Sequence, residues 1–144
     1  MTKKDDFDLM LFMPYLLNQA AEESSLAFQQ HYKQRYGMLR TEWRVLFHLG
    51  YYKPMTAREM CDRAKLHKTK VSRAVTALEK RRYLKREKVE WDRRQEILTL
   101  TPLGQSVYRD LKEVARDYDK KLQAQFTAEE DAILRKCLKK LAGF

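Results

Sequence analysis

The chain has 144 residues, 44% hydrophobic and 35% charged, with 4 Gly, 3 Pro and a formal net charge of +10. That length holds one domain with a real core, and the balance fits a mostly helical fold while excluding disordered and β-rich classes. No apolar run of about 18 residues is present, which excludes a membrane-spanning helix.

A start of Met-Thr-Lys-Lys-Asp-Asp lacks the long apolar stretch and small-residue cleavage site of a secretory signal. Cys61 and Cys137 form no CxxC pair, in keeping with a reducing compartment. The expected location is therefore the cytoplasm.

Residues 1–13 read as a partly apolar arm. Pro14 suits the first turn of a helix, where its missing N–H costs nothing. Leu16, Leu17, Ala20, Ala21 and Phe28 then keep a helical period to about Tyr32, and Gly37 breaks it. Thr41 is the expected cap of a second helix, Glu42 to about Gly50, with Trp43, Leu46 and Phe47 as its core stripe.

Thr56-Ala57-Arg58-Glu59 is a capping box opening a short third helix to about Ala64, burying Met60, Cys61 and Ala64. Lys65-Leu66-His67 makes a turn, and a fourth helix runs from about Lys68 to Arg82. Leu84, Val89, Ile97, Leu98 and Leu100 belong to two short strands, with Trp91-Asp92-Arg93-Arg94-Gln95 at the tip. Thr101-Pro102 opens a long fifth helix striped by Leu103, Val107, Leu111, Val114, Tyr118 and Leu122. Thr127-Ala128-Glu129-Glu130 is a second capping box, opening a last helix with Ile133, Cys137, Leu138 and Leu141 inward.

Charge is concentrated in this scheme. Residues 63–94 hold 13 Lys and Arg against 4 Asp and Glu, a net of +9 within a chain of +10. A basic patch confined to a helix–turn–helix and a hairpin is the footprint of a duplex binder. On the fourth helix, stepping about 100° per residue gathers Val71, Ala74, Val75 and Leu78 on one face. Thr69, Arg73, Thr76 and Lys80 fall opposite, flanked by Lys70, Ser72 and Ala77. Arginine grips guanine through two hydrogen bonds, threonine offers a hydroxyl or methyl to a base edge, and Lys68 with the first helix amides suits a phosphate. A charged outer face on its own also fits a merely solvated helix; the capped neighbour, tight turn and basic hairpin favour the reader.

Several spaced elements agree in order with one family. Thr56-x-x-Glu59-Met60-Cys61, then Leu66-x-Lys68-x-x-Val71-Ser72-Arg73-x-Val75-x-x-Leu78-Glu79, resembles the winged helix–turn–helix of the MarR family of bacterial regulators. So does Asp92-Arg93-Arg94 followed by Leu98-Thr99-Leu100-Thr101-x-x-Gly104, and Leu39-x-x-x-Trp43-x-Val45-Leu46 is similar to the family's second helix. The resemblance implies one domain over 1–144, mainly α with a small β-hairpin wing. Its DNA-binding lobe would span 38–104, and 1–37 and 105–144 would be dimerisation helices. It also implies a homodimer on a palindromic operator, acting as a repressor and released by a small ligand. Arg73 would contact the major groove, Asp92 would orient the wing arginines Arg93 and Arg94, and Arg94 would enter the minor groove. An A·T-rich minor groove attracts arginine on independent physical grounds.

Two residues depart from the family pattern. Arg82 stands where the family usually has Gly, so the recognition helix either ends differently or tolerates a left-handed residue. His67 stands where Ser, Thr or Asp often caps that helix, and either turns to a phosphate or occupies the turn.

Pairing is expected as a C₂ dimer through about 5–30 and 110–144; the alternative is that these helices close a monomeric core. Tyr15, Trp43, Phe47 and Tyr108 are candidates to border a pocket for a small aromatic or anionic effector. Arg40 or Arg44 is placed to pair a carboxylate or to form surface salt bridges. Peroxide-sensing members place their cysteine near the start of the first helix, where this chain has none; Cys61 and Cys137, on apolar faces, read as inert.

No phosphate-cradling loop, metal-spaced His/Cys set or nucleophile motif is present, which argues against an enzyme and against a cofactor. His48, beside Phe47, reads as structural. A winged-helix module binding protein or RNA is the competing class. A membrane-surface helix is disfavoured, because the fourth helix has no bulky outer apolar face.

Overall fold

A computed structural model describes residues 5–144. Six helices, α1 (Met13–Tyr36), α2 (Arg40–Tyr52), α3 (Ala57–Ala64), α4 (Lys68–Lys80), α5 (Pro102–Gln123) and α6 (Ala128–Ala142), surround three strands. The strands are β1 (Met55–Thr56), β2 (Leu84–Val89) and β3 (Asp92–Leu100), in the antiparallel order β1-β3-β2. The fold is thus mainly α with a small β wing, a winged helix–turn–helix flanked by N- and C-terminal helices. Residues 1–4 of the expected arm lie outside the described residues; the remainder includes a 3₁₀ turn at Leu9–Leu11, capped by Asp8, whose carboxylate accepts the Met10 N–H at 2.9 Å.

α1 starts with Pro14 in its first turn and ends where Gly37 turns left-handed at φ 63°, its N–H returning to the Lys33 carbonyl at 2.8 Å. That reversal drives Met38 fully into the core and fixes the start of the next helix. The cap of α2 is therefore Leu39, and Thr41, the expected cap, lies inside the first turn. Leucine offers no acceptor, so the helix start is satisfied from the other side: the buried Glu42 carboxylate accepts the Leu39 N–H. Val45, Leu46 and Leu49 form the innermost stripe of α2, while Trp43 and Phe47 are half-buried beside it.

At α3 the Thr56 hydroxyl accepts the Glu59 N–H at 3.1 Å. The reciprocal half of the expected capping box does not form among the described residues. Thr56 is also a strand residue, paired with Ile97 of β3, so its backbone is held in the sheet. This two-residue strand has no sequence signature of its own. Met60 and Ala64 are buried as expected, whereas Cys61 is only half-buried.

The buried face of α4 is Val71, Ala74, Val75 and Leu78, as the helical period requires. The helix stops at Lys80, short of Arg82, which adopts φ 64°. The Arg82 N–H bonds to the Glu79 carbonyl and that of Tyr83 to Leu78, both at 2.9 Å, so the left-handed residue closes the helix as glycine would. A side chain there costs roughly 1 kcal/mol.

The hairpin is longer and its tip smaller than expected. Leu84 pairs with Leu100 and the ladder continues to Lys88–Glu96, then jumps to Val89–Asp92, leaving 93–95 of β3 without partners on β2. The turn is Glu90-Trp91 alone. Asp92 to Gln95 are strand residues on a bulge, not the tip itself.

α5 is capped by Thr101, whose hydroxyl accepts the Gly104 N–H at 3.0 Å and donates to the Arg82 carbonyl at 2.6 Å. Gly104, Val107, Tyr108 and Leu111 are buried, but Leu103 is 51% exposed, contrary to the expected stripe. Gly104 decides this rotation: a Cβ there would lie 1.9 Å from the Tyr83 carbonyl oxygen, so only a bare Cα fits against the chain leaving α4.

α6 carries the complete capping box, with Thr127 and Glu130 exchanging bonds of 3.0 and 3.1 Å. Its apolar face is not inward. Ile133, Leu138 and Leu141 are 54%, 41% and 57% exposed, and Cys137 is exposed too. The helix is held instead at its start by a polar corner. Arg135 bonds Asp131 at 3.0 Å and Asp119 at 3.1 Å, and Gln123 donates to the buried Asp131 at 3.1 Å.

Gly104→Ala is expected to destabilise the protein by about 1–3 kcal/mol through overpacking against backbone. A lowered urea midpoint with an unchanged m-value would show it; an unchanged midpoint would mean that α5 docks differently.

Candidate nucleic-acid interface

Burying the apolar face of α4 against α2 and α3 leaves Lys68, Thr69, Lys70, Ser72, Arg73, Thr76 and Lys80 all exposed. The helix begins with His67 as its cap, the ring Nδ1 accepting the Thr69 N–H at 3.2 Å. The imidazole thus takes the role that a Ser or Asp side chain usually plays, a use that neither sequence alternative had considered. With one first-turn amide so satisfied, the α4 N-terminus stays locally cationic through Lys68 and Lys70.

The wing brings a second set of charges to the same lobe. Asp92, half-buried, accepts from the Arg94 backbone N–H at 3.1 Å and from Nε at 3.4 Å. Its grip reaches Arg94 and not Arg93. The Arg94 side chain remains 94% exposed, so its guanidinium is aimed but uncovered. Arg93 and Arg94 lie on the unpaired part of β3, where no cross-strand neighbour on β2 restrains them.

Arg86 of β2 is the residue that sequence reasoning missed. Its Nη2 donates to the Thr76 hydroxyl at 2.9 Å, Nε lies 3.4 Å from Glu79, and Nη1 lies 3.6 Å from Glu96. The Glu79 approach is an ion pair without hydrogen-bond alignment. One guanidinium therefore ties two successive turns of α4 to both strands of the wing. With its oxygen accepting from Arg86, Thr76 keeps its hydroxyl proton free to donate outward. Pattern reasoning had only one usable signal, the half-buried arginine alternating with exposed Lys85 and Glu87.

A separate cleft of about 510 Å³ opens between α1, α2 and α5. Phe28, Tyr32, Trp43 and Tyr118 form its aromatic wall: Tyr32 stacks on Trp43 with centroids 5.6 Å apart, and Phe28 meets Trp43 at 5.0 Å and Tyr118 at 5.3 Å. Of the four expected border residues only Trp43 lines it. Phe47 and Tyr108 pack on each other at 5.1 Å, and Tyr15 lies outside the lining. The period alone does not separate a wall residue from its core-facing neighbour one turn away.

Arg40 in this cleft pairs with Glu22 at 2.9 Å, which holds the Glu22 carboxyl below its usual range. Arg44 has no ion-pair partner among the described residues; its guanidinium donates to the Ala64 carbonyl, and burial together with nearby Arg40 pushes its pKa down. Trp43 Nε1 is buried without a hydrogen-bond partner. A partly desolvated cation and an orphaned N–H thus share one aromatic recess, an arrangement suited to an anion with a flat ring.

Two clamps hold the C-terminal end of α1, one to the end of α4 and one to α5. The Arg81 guanidinium donates to the carbonyls of Tyr36 and Gly37, the latter at 2.9 Å. The Tyr36 hydroxyl donates to Asp110 of α5 at 2.6 Å, and Arg35 also bonds Asp110 at 3.0 Å. Burial and the Asp110 carboxylate push the Tyr36 phenol up to about 12, while the same hydrogen bond holds Asp110 below the usual carboxylate range. His48 proves local, its Nδ1 lying 2.6 Å from the Arg44 carbonyl.

A sequence model described as MarR family matches residues 36–95, which span the second helix, the reading helix and the wing arginines. Over those residues the chain is similar to the MarR family. A MarR/EmrR family transcriptional regulator from Acinetobacter sp. ADP1 is 28% identical, with a TM-score of 0.84 over 95% of this chain and 96% of that one. Bordetella bronchiseptica BpsR, whose DNA binding is regulated by 6-hydroxynicotinic acid, has a TM-score of 0.85 at 18% identity, over 96% of this chain and 98% of its own. Staphylococcus aureus MepR, solved as a DNA complex, has a TM-score of 0.80 at 18% identity, over 92% and 98%. No curated protein matches the sequence. Among the described residues no helix is long and apolar enough to cross a membrane.

Proposed function

We propose that the protein is a cytoplasmic bacterial repressor that binds a palindromic DNA operator as a homodimer and is released by an aromatic acid. The single observation carrying this reading is the Arg86 brace, which fixes the cationic face of α4 and the arginine-bearing wing relative to each other. A lobe over 38–104 reads DNA, and 1–37 with 105–144 pair the subunits. Lys68, Thr69, Lys70, Ser72, Arg73, Thr76 and Lys80 face the major groove and its phosphates, with Arg73 on a base edge. Asp92 aims Arg94 at the minor groove, and Arg93 meets the backbone. A module for protein or RNA has less support, since a single-strand binder uses aromatic platforms and the outer face of α4 has none.

Arg73→Ala is expected to cost about 1–3 kcal/mol and relax base preference at one position per half-site. Arg94→Ala should weaken binding most where the flanks are A·T-rich. Titration of labelled duplexes selected from a random library by the parent protein checks both, and parent-like binding by both variants would refute the contact assignment.

Pairing is supported by what the single chain leaves uncovered. Leu9, Met10, Leu11, Phe12, Met13 and Leu16 at one end, and Phe126, Ile133, Leu134, Leu138, Leu141 and Phe144 at the other, are all at least 40% exposed. A monomer rarely leaves that much apolar surface wet. Ile133→Asp with Leu141→Asp should leave the helical circular-dichroism signal intact while shifting sedimentation from dimer to monomer and weakening duplex binding at least tenfold. A parent that sediments as a monomer at micromolar concentration would defeat the dimer.

For the effector, Arg44 and the Trp43 N–H supply the two donors an arene carboxylate needs, and the rings of Phe28, Tyr32 and Tyr118 supply its walls. Benzoate-type acids are expected to quench Trp43 emission and release the duplex, and Arg44→Gln should raise the concentration required on the order of tenfold or more. Equal sensitivity in Arg44→Gln would exclude this cleft as the effector site.

A further inference from the structure

Trp91 is 86% exposed, more than any other large apolar side chain among the described residues, and it forms half of the two-residue turn at the end of the wing. The turn is not loosely attached. Val89, two residues earlier, is buried and pairs with Asp92 directly across the hairpin, while Asp92 is itself engaged by Arg94. The indole therefore stands on an anchored base, separated only by the paired Asp92 from the three residues of β3 that have no partner on β2, two of which are Arg93 and Arg94. No aromatic partner or cation–π contact of this ring occurs among the described residues; the only other tryptophan, Trp43, packs in an aromatic cluster. Water covers nearly the whole ring, an unfavourable placement for the most costly side chain to hydrate at a position any polar turn residue would fill.

We propose that Trp91 is a DNA-contact residue that packs in the minor groove, its ring against the sugar wall and its N–H toward a groove-edge acceptor, beside Arg94. This rests on the duplex-binding reading above. Three features support it. The adjacent unpaired segment carries two exposed cations, Arg93 and Arg94, while of the two neighbouring carboxylates Asp92 is half-buried and engaged by Arg94 and Glu90 lies on the far side of the turn. The bulge frees β3 to follow a groove wall without breaking the remaining ladder. Apolar side chains beside arginines are also the chemistry by which proteins grip a minor groove without reading bases in detail. Trp91 consequently adds affinity and little sequence preference, in contrast to Arg73.

The experiment uses the full chain and a duplex selected by it from a random-sequence library. Trp91 emission is taken as the difference between the parent and Trp91→Phe, free and duplex-bound, so the signal of Trp43 cancels. In the complex that emission should shift to the blue and its acrylamide quenching constant should fall at least threefold, and Trp91→Ala should bind on the order of tenfold more weakly across several selected duplexes. Trp91→Phe should retain most of the affinity. A Trp91 signal equally open to acrylamide in free and bound protein overturns the proposal, as does parent-like affinity of Trp91→Ala. Selection of no duplex at all would count against the DNA-binding reading instead, which separates the two failures.

Discussion

Arg86 fixes the relation between α4 and the wing on which the proposed duplex recognition depends. A wing two strands wide has little core of its own, and a recognition helix of 13 residues is held only along its inner face. Without a tether the two would tilt independently, and an arginine at the wing could not keep register with one on the helix. The Thr76, Glu79 and Glu96 contacts of a single planar guanidinium remove that freedom. They also neutralise two carboxylates, Glu79 and Glu96, beside the cationic face of α4. Lysine would do this poorly, since one ammonium cannot present a rigid fork to three partners.

The same economy recurs where the lobe meets the flanking helices. Arg81 follows the last turn of α4 and closes the C-terminus of α1, where unpaired carbonyls carry partial negative charge. Arg35, Tyr36 and Asp110 then bind that end of α1 to α5. The aromatic cleft lies between the same three helices, α1, α2 and α5. Under the proposed function, a molecule that spreads those helices would act on the segment that Arg81 ties to α4, so release of DNA would need no longer path than one clamp.

Self-contained local features were legible along the chain. The caps at Thr56, Thr101 and Thr127, the stop at Gly37 and the buried face Val71, Ala74, Val75 and Leu78 depend on neighbours within about one helical turn, and they came out as the pattern required. Misreadings arose where a distant partner overrode the local preference. Thr41 lost the cap to Leu39 because Met38 had to enter the core, and Leu103 lost the inner face of α5 because Gly104 must pass against Tyr83. β1 exists only because β3 is there to pair with it.

Composition, periodicity and charge placement by themselves determined a helical protein with one cationic helix–turn–helix and hairpin, since those properties follow from short-range rules and from counting. Tertiary structure decided which basic residues are braced and which are free, which aromatics wall the cleft, and that the last helix keeps its apolar face exposed. These outcomes turn on contacts between residues tens of positions apart, as between Arg81 and Tyr36 or Tyr118 and Ser24, and no local period encodes such pairings.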